Sequence, residues 1–178
     1  MVKLLTRSFV ALATVFVLNA AAADEFEEFP IGDEVEINNM LIAAVYLAPI
    51  DMEPKGIDLA PSQADIHLEA DIHAIEGNKN GFGDGEWIPY LTVSYELTNK
   101  DTKAKKSGVF MPMVAIDGPH YGANIKMLGV GNYHVKYTIE NPSAKGQFGR
   151  HSDKATGVGK WFEPFSVEFD FKYTGIKK

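Results

Sequence analysis

Cysteine is absent from the 178-residue chain. Without thiols there is no disulfide framework and no thiolate ligand, so a transition-metal site must use histidine, methionine or carboxylate side chains. A catalytic cysteine is excluded for the same reason, and no G-x-S-x-G segment supplies a serine nucleophile. Any metal site in this chain must therefore use imidazole nitrogen, thioether sulfur or carboxylate oxygen as ligands.

Positive charge is also scarce. The 17 basic side chains are outnumbered by 24 acidic ones, which gives a formal net charge of −7 at pH 7. This balance argues against binding of nucleic acid or of an anionic lipid surface, because lysine and arginine hold both. It suits a cationic ligand instead.

Long apolar runs are missing except at the N-terminus. Lys3 and Arg7 flank the start of an apolar stretch from Ser8 to Leu18, and small residues follow at Ala20–Ala23. The stretch is shorter than the ~18 residues that a membrane-spanning helix requires, and the order is typical of a cleavable secretory signal. We predict a signal peptide over residues 1–23 and a single domain over residues 24–178.

What the chain has in abundance is alternation of apolar and polar residues with a period of two. The segment “FSVEFDFKY”, residues 165–173, alternates strictly, and residues 90–97 and 133–140 do the same. We interpret “VEINNMLIAAVYLAP” as a strand pair or one bent strand, and “LTNKDTKAKKSG” as a polar connector. No stretch has a sustained helical period, so the sequence predicts an all-β, antiparallel β-sandwich.

One strand carries an unusual row of ionisable groups. In “ADIHLEADIHA” one face is apolar, and the other holds Asp65, His67, Glu69, Asp71 and His73. Alternate residues of a strand project the same way about 7 Å apart, so His67 and Glu69 can flank one ion. An ordinary solvated strand face explains the same pattern, and this segment alone leaves both interpretations open.

A second segment, “MPMVAIDGPHYG”, adds softer donors. Met111 and Met113 share one strand face, Pro112 marks an edge strand or its end, and the “DGPH” turn delivers His120. Methionine usually fills cores. A thioether and an imidazole on a rigid turn can nevertheless complete a site begun by His67 and Glu69. Thioether favours copper(I), imidazole serves copper, zinc and iron, and carboxylate favours iron or manganese.

Two further histidines differ in setting. His151 lies in a loop before the last strand, where functional residues often occur, and Arg150 or Asp153 can orient its ring. His134 lies on the polar face of its strand, and we assign it to solvent.

Six blocks of the chain, in this order, resemble the periplasmic iron-transport proteins that work beside an inner-membrane iron permease. They span about residues 31–173 and read “AAVYLAPIDMEP”, “ADIHLEADIHA”, “WIPYLTVSYEL”, “FMPMVAIDGPHYG”, “RHSDKATGV” and “WFEPFSVEFDF”. The resemblance implies an immunoglobulin-like β-sandwich that forms a homodimer in the periplasm. It also implies copper bound near the dimer interface and a role in ferrous-iron uptake.

Carried over by position, the resemblance implies a specific set of metal ligands. They are His67, Glu69, Met113, His120 and His151. The resemblance selects Met113 over Met111, a choice that the pattern leaves open. Met52 and Asp117 are candidates for outer or partner-chain contacts, whereas His73 is either an outer contact or a surface group.

The sequence thus predicts a dimeric periplasmic protein that binds copper and iron and delivers iron to an inner-membrane permease. His67, Met113, His120 and His151 form the softer set, and Glu69 recruits the harder ion beside it. Two alternatives stay open: a copper-dependent redox enzyme acting on iron, and a metal-free structural or adhesion sandwich. Because free histidine titrates near pH ~6.5, we expect metal affinity to fall below that pH.

Overall fold

The computed structural model describes residues 27–146 and 148–176, which contain ten β-strands. The strands are β1 (Phe29–Pro30), β2 (Val35–Ile37), β3 (Met40–Leu47), β4 (Ile66–Ala74), β5 (Thr92–Asn99), β6 (Lys105–Val109), β7 (Met111–Ala115), β8 (Gly118–Ile125), β9 (Gly131–Glu140) and β10 (Phe165–Tyr173). Across these described ranges, no helix has the length and apolar character needed to cross a bilayer. The predicted signal peptide, residues 1–23, lies outside the described residues.

The strands form two antiparallel sheets. A six-stranded sheet has the order β1-β3-β4-β8-β7, with β2 also paired to β3, and a four-stranded sheet has the order β10-β9-β5-β6. All strand pairs are antiparallel. The predicted all-β sandwich is therefore confirmed.

Alternation along the strands builds the core between the sheets. The inward residues of β9 are fully buried, and those of β4 meet them in one apolar cluster, which includes Tyr133, Val135, Tyr137, Ile139, Ile66, Leu68, Ala70 and Ile72. Each large apolar side chain so buried contributes about 1.5–3 kcal/mol relative to exposure. This core fixes which face of β4 points outward.

Buried tyrosines connect the core to the strands that carry the ionisable residues. The hydroxyl of Tyr137, on β9, donates a hydrogen bond of 3.0 Å to the backbone carbonyl of Glu69 on the opposite sheet. On β8, the Tyr121 hydroxyl accepts from the Leu91 amide at 2.9 Å and donates to the Ile88 carbonyl at 2.7 Å. The backbones of β4 and β8 are thus held from the inner side.

Two local predictions are decided by the structure. The “VEINNMLIAAVYLAP” segment is a strand pair, and its turn residues Asn38 and Asn39 have φ of 53° and 57°, the left-handed values that such tight hairpins require. The segment “LTNKDTKAKKSG” is not only a connector, since it contains β6, which pairs with β5. The interpretation as a connector was therefore wrong for residues 97–99, which belong to β5, and for residues 105–108.

Candidate metal centre

Strand pairing gathers the ionisable residues on the outer face of the six-stranded sheet. In the β4–β8 register, His67 lies opposite Asn124, and Glu69 lies opposite Gly122. Directly paired residues project to the same face of a sheet. His120, two residues before Gly122 on β8, therefore joins the same face.

Strand β7 adds methionines at the edge. Met113 pairs with His120, and Met111 pairs with Gly122. β7 ends the order of its sheet, as the proline at 112 predicts. The β7–β8 hairpin therefore presents a thioether row beside the imidazole of His120.

Three donor groups converge at one point. Glu69 Oε1 lies 3.4 Å from His67 Nε2 and 3.2 Å from His120 Nε2. One ligand atom from each residue lies within 4.8 Å of the others, and the two imidazole rings cross at 75° with centroids 5.9 Å apart. Ligands bound about 2 Å from a common ion lie roughly 3–4 Å from one another, so the spacing fits a transition metal.

All three residues are buried. His67 is 0% exposed, and Glu69 and His120 are 4% exposed, so a solvated strand face is the wrong interpretation at these positions. Neither histidine Nε2 makes a hydrogen bond, although Glu69 Oε1 lies close to both. Buried polar atoms without a partner are rare in folded proteins, and a cation site is a recognised reason for them.

Gly122 provides the space in which these atoms meet. A Cβ atom at this position would lie 2.6 Å from His67 Nε2 and 3.3 Å from the Leu68 carbonyl oxygen. A side chain there would fill the volume in front of the nitrogen. Sequence reasoning missed this residue, although the outward series His120, Gly122 and Asn124 alternates visibly along β8.

Burial also sets the charge of the site. Desolvation lowers the pKa of His67 to about 4, and it lowers the pKa of His120 as well. Desolvation raises the pKa of Glu69 to about 8, and the nearby carboxylate of Asp71 adds to that rise. At neutral pH both imidazoles are therefore neutral and free to bind a metal, while Glu69 carries a proton that a cation can replace.

Two clefts adjoin the site, and His120 lines both. The first, here called the thioether cleft, has a volume of about 470 Å³ and is lined by Met52, Met111, Met113, Glu69 and His120 among others. The second, the acidic cleft, has a volume of about 260 Å³ and is lined by Glu28, Glu34, Asp71, His73 and Asp117 together with His120. Burial raises the pKa of Asp71 to about 6, with Glu28 contributing next. The methionines thus lie on one side of His120, and a cluster of carboxylates lies on the other.

The structure does not bring all five predicted ligands together. His67, Glu69 and His120 form the cluster, and Met113 lines the thioether cleft. His151 is exposed in the loop before β10, where its Nδ1 lies 2.8 Å from Thr156 Oγ1, and it is not part of the three-residue cluster. His134 is partly exposed on the four-stranded sheet, 2.9 Å from Asp170.

Comparison with known proteins assigns the chain to a family. The model of the Fe2+ transport protein family matches residues 25–175. The chain belongs to this family. Membership confirms the resemblance inferred from the six blocks and argues against the metal-free structural alternative.

Relatives of this family span most of the chain. A UPF0423 protein of Brucella abortus (strain 2308) is 50% identical over 170 residues, which cover 94% of this chain and 93% of the relative. The 34 kDa membrane antigen of Treponema pallidum is 39% identical over 170 residues, covering 92% of this chain and 83% of the antigen.

Solved structures share both the fold and much of the sequence. FetP of uropathogenic E. coli strain F11, recombinantly expressed in the periplasm of E. coli, superposes with a TM-score of 0.83 at 64% identity, covering 86% of this chain and 100% of FetP. The copper-reconstituted P19 protein of Campylobacter jejuni has a TM-score of 0.83 at 64% identity, covering 85% of this chain and 99% of P19. The family thus includes structures that contain copper.

Proposed function

We propose that this protein is a periplasmic copper- and iron-binding component of high-affinity iron uptake, and that it delivers iron to an inner-membrane permease. The observation that carries the proposal is the buried convergence of His67, Glu69 and His120. Membership of the Fe2+ transport family and the copper in P19 support it.

Copper fits the nitrogen and sulfur donors. His67 Nε2 and His120 Nε2 would hold it, and Met113, which pairs with His120 across the hairpin, would add the thioether that copper(I) favours. We propose that His151 reaches the site of a second copy in a homodimer, because its exposed loop leaves the ring available. Bound copper would supply a one-electron redox couple.

Iron is the cargo in this proposal, and the carboxylates suit it. Glu69 lies in the cluster, while the acidic cleft brings Glu28, Asp71 and Asp117 around His120. Glu28 and Asp117 both raise the pKa values of Asp71 and Glu69, so negative charges crowd one another there. A hard cation would relieve this repulsion, which favours iron over a neutral ligand.

The periplasmic location is supported by the signal-like N-terminus and by the periplasmic expression of FetP. An exported metal carrier would meet its ion outside the inner membrane. Transfer to a permease is the step that gives such a carrier a role in uptake.

Copper titration by isothermal calorimetry tests the proposal. We expect one tight copper(II) site per chain, and we expect His67→Ala and His120→Ala each to weaken binding by at least about 100-fold, since each removes a ligand where loss of an outer contact alone costs 10–100-fold. His134→Ala is the matched control, because that histidine lies on the other sheet, and it should bind copper like the wild type. Unchanged binding by both site variants would contradict the proposal.

Iron turnover distinguishes the carrier from the remaining redox alternative. A carrier should take up iron in a fixed ratio to protein. Sustained oxidation or reduction of iron over many equivalents, lost in His120→Ala, would favour the copper-dependent enzyme instead.

A further inference from the structure

Asn124 is a buried amide at the junction of three chain segments. It is 6% exposed, and it lies opposite His67 in the β4–β8 register. Its side-chain oxygen Oδ1 lies 3.1 Å from both the Ile50 amide nitrogen and His67 Nδ1. Its side-chain nitrogen Nδ2 donates to the carbonyls of Ile50 at 2.8 Å and Leu59 at 2.7 Å. Both the oxygen and the nitrogen of the side-chain amide thus have two hydrogen-bond partners each.

The backbone groups around Asn124 fix which way its amide faces. Carbonyl oxygens only accept hydrogen bonds, so those of Ile50 and Leu59 require the NH₂ group beside them. The Ile50 amide only donates, so it requires the side-chain oxygen. That oxygen cannot donate to His67, and the hydrogen between the two side chains must therefore be on His67 Nδ1.

We infer that Asn124 is a positioning residue for the metal site, which holds neutral His67 as the Nδ1–H tautomer and leaves the ring lone pair on Nε2. Nε2 is the nitrogen that lies 3.4 Å from Glu69 Oε1 and has no hydrogen-bond partner. Donation from the other ring nitrogen to a fixed acceptor sets ring orientation and strengthens an imidazole ligand. That the ligand of Nε2 is a metal rests on the proposed function. The assignment of the proton to Nδ1 does not, because it follows from the hydrogen bonds of Asn124 alone.

The same amide couples the site to the loop of residues 48–65. Besides the side-chain bonds to Ile50 and Leu59, the Asn124 backbone amide donates to Asp58 Oδ2 at 2.7 Å. This loop carries Met52, which lines the thioether cleft. The oxygen of the side chain thus orients His67 and contacts the loop at the Ile50 amide, while its nitrogen binds two carbonyls of the loop.

Nuclear magnetic resonance on the metal-free wild-type protein tests the tautomer directly. A long-range ¹H–¹⁵N correlation spectrum at pH 7 should show His67 Nδ1 as the protonated nitrogen and Nε2 as the unprotonated one. A protonated Nε2 would overturn the inference. No variant and no metal is needed, so the result is independent of the proposed function.

Substitutions at Asn124 then test its effect on binding. Asn124→Leu removes the acceptor, and we expect copper(II) affinity to fall about 10- to 100-fold, with loss of the single tautomer. Asn124→Asp keeps an oxygen facing His67 but places an acidic oxygen where the NH₂ group donates to the carbonyls of Ile50 and Leu59. It should retain the Nδ1–H tautomer and bind copper more tightly than Asn124→Leu, even if the loop contacts are weakened.

Asn99 provides the matched control. It is also a fully buried asparagine, with Oδ1 accepting from the amides of Asp101 and Thr102 and Nδ2 donating to the Leu128 carbonyl, but it lies on the four-stranded sheet. Asn99→Leu should lower the melting temperature and leave copper affinity unchanged. If Asn124→Leu weakens binding no more than Asn99→Leu does, the positioning role is wrong. If the wild type binds no copper, the proposed function fails and the tautomer measurement still decides this inference.

Discussion

Gly122 contributes no ligand, yet the space above it determines where an ion can lie. It pairs with Glu69 on one side and with Met111 on the other, and it lies between His120 and Asn124 along β8. Any side chain at this position would fill the space between the donor atoms, where an ion would bind. The missing Cβ is thus as specific a requirement as any of the donors.

We predict that Gly122→Ala weakens copper binding without preventing folding. The added Cβ would lie 2.6 Å from His67 Nε2, which forces the ring away from its position. Affinity should fall at least tenfold in calorimetry, while circular dichroism stays that of a β-protein.

Gly108→Ala is the control for this variant. Its Cβ would lie 2.5 Å from the Tyr95 hydroxyl oxygen, a comparable clash on the other sheet. Both variants should lose some stability, and only Gly122→Ala should lose copper affinity. Equal affinities in the two variants would show that the volume above Gly122 is not the ion's position.

Glu69 should make the metal-free protein less stable as pH rises. Its pKa is about 8 in the fold against an ordinary value of 4.5, so the folded state binds more protons than the unfolded state between those values. Stability therefore falls as pH rises through this window, by at most about 1.4 kcal/mol per pH unit for one proton. The lowered pKa values of His67 and His120 have the opposite effect on stability, and they contribute little above pH 7, where the histidines of the unfolded chain are mostly neutral.

Urea unfolding of the metal-free protein between pH 7 and 8 measures this slope. Glu69→Gln cannot titrate and should flatten it. Glu96→Gln is the control, because Glu96 is exposed, pairs with Lys105 and has a lowered pKa, so it titrates far below the window. A wild-type midpoint that stays constant over this range would count against a protonated Glu69.

Burial revises the pH dependence expected from composition alone. Free histidine titrates near pH ~6.5, but desolvation lowers the pKa of His67 to about 4. The residue that still carries a proton near neutrality is Glu69. Sequence reasoning could not show this, because several of the covering groups lie far from β4 in the chain, such as Met113 and Asn124.

At the scale of strands, the sequence predicts well those elements whose side chains reach the core. Strands β5, β9 and β10 alternate because one face of each is buried, whereas β4 alternates apolar and ionisable residues although both of its faces are buried from Ile66 to Ala70. Strand β6 was missed because its residues are polar or small and alternate only between exposed and partly exposed positions. Its place in the sheet comes from backbone hydrogen bonds to β5, which leave no side-chain pattern.

The sequence allowed most donor residues of the site to be predicted, but not the strand register that brings them together. The H-x-E strand and the “MPM” hairpin supplied His67, Glu69, Met113 and His120. Their meeting depends on the register between β4 and β8, which places Glu69 opposite Gly122. Register between strands some 50 residues apart is a tertiary property, so the roles of Gly122 and Asn124 emerge only from the fold.

At the scale of the whole molecule, the rim of the thioether cleft exposes apolar side chains. Ile57 is 48% exposed and Val114 is 78% exposed, and both line the cleft, while Ile116 at the hairpin tip is 99% exposed. Exposed apolar groups close together are typical of interaction surfaces. This is the face on which the proposed homodimer would bring His151 of a second copy to the site.

Mixed dimers test whether His151 acts across subunits. In a dimer of one His120→Ala chain and one His151→Ala chain, the second chain keeps His120 and would receive His151 from the first. We expect each variant alone to bind copper weakly and the mixture, after subunit exchange, to regain one tight site per dimer. No recovery would place His151 in its own subunit's site or outside any site.

Alternate residues of strand β8 pack in the core and form the candidate metal site. Tyr121, Ala123 and Ile125 face the core, and His120, Gly122 and Asn124 face outward. Insertion or deletion of one residue in this strand would exchange the two sets and ruin hydrophobic packing and ligand geometry together. The position of the ion relative to the protein interior is therefore fixed by the register of β8, and a shift of that register would disrupt the metal site and the core together.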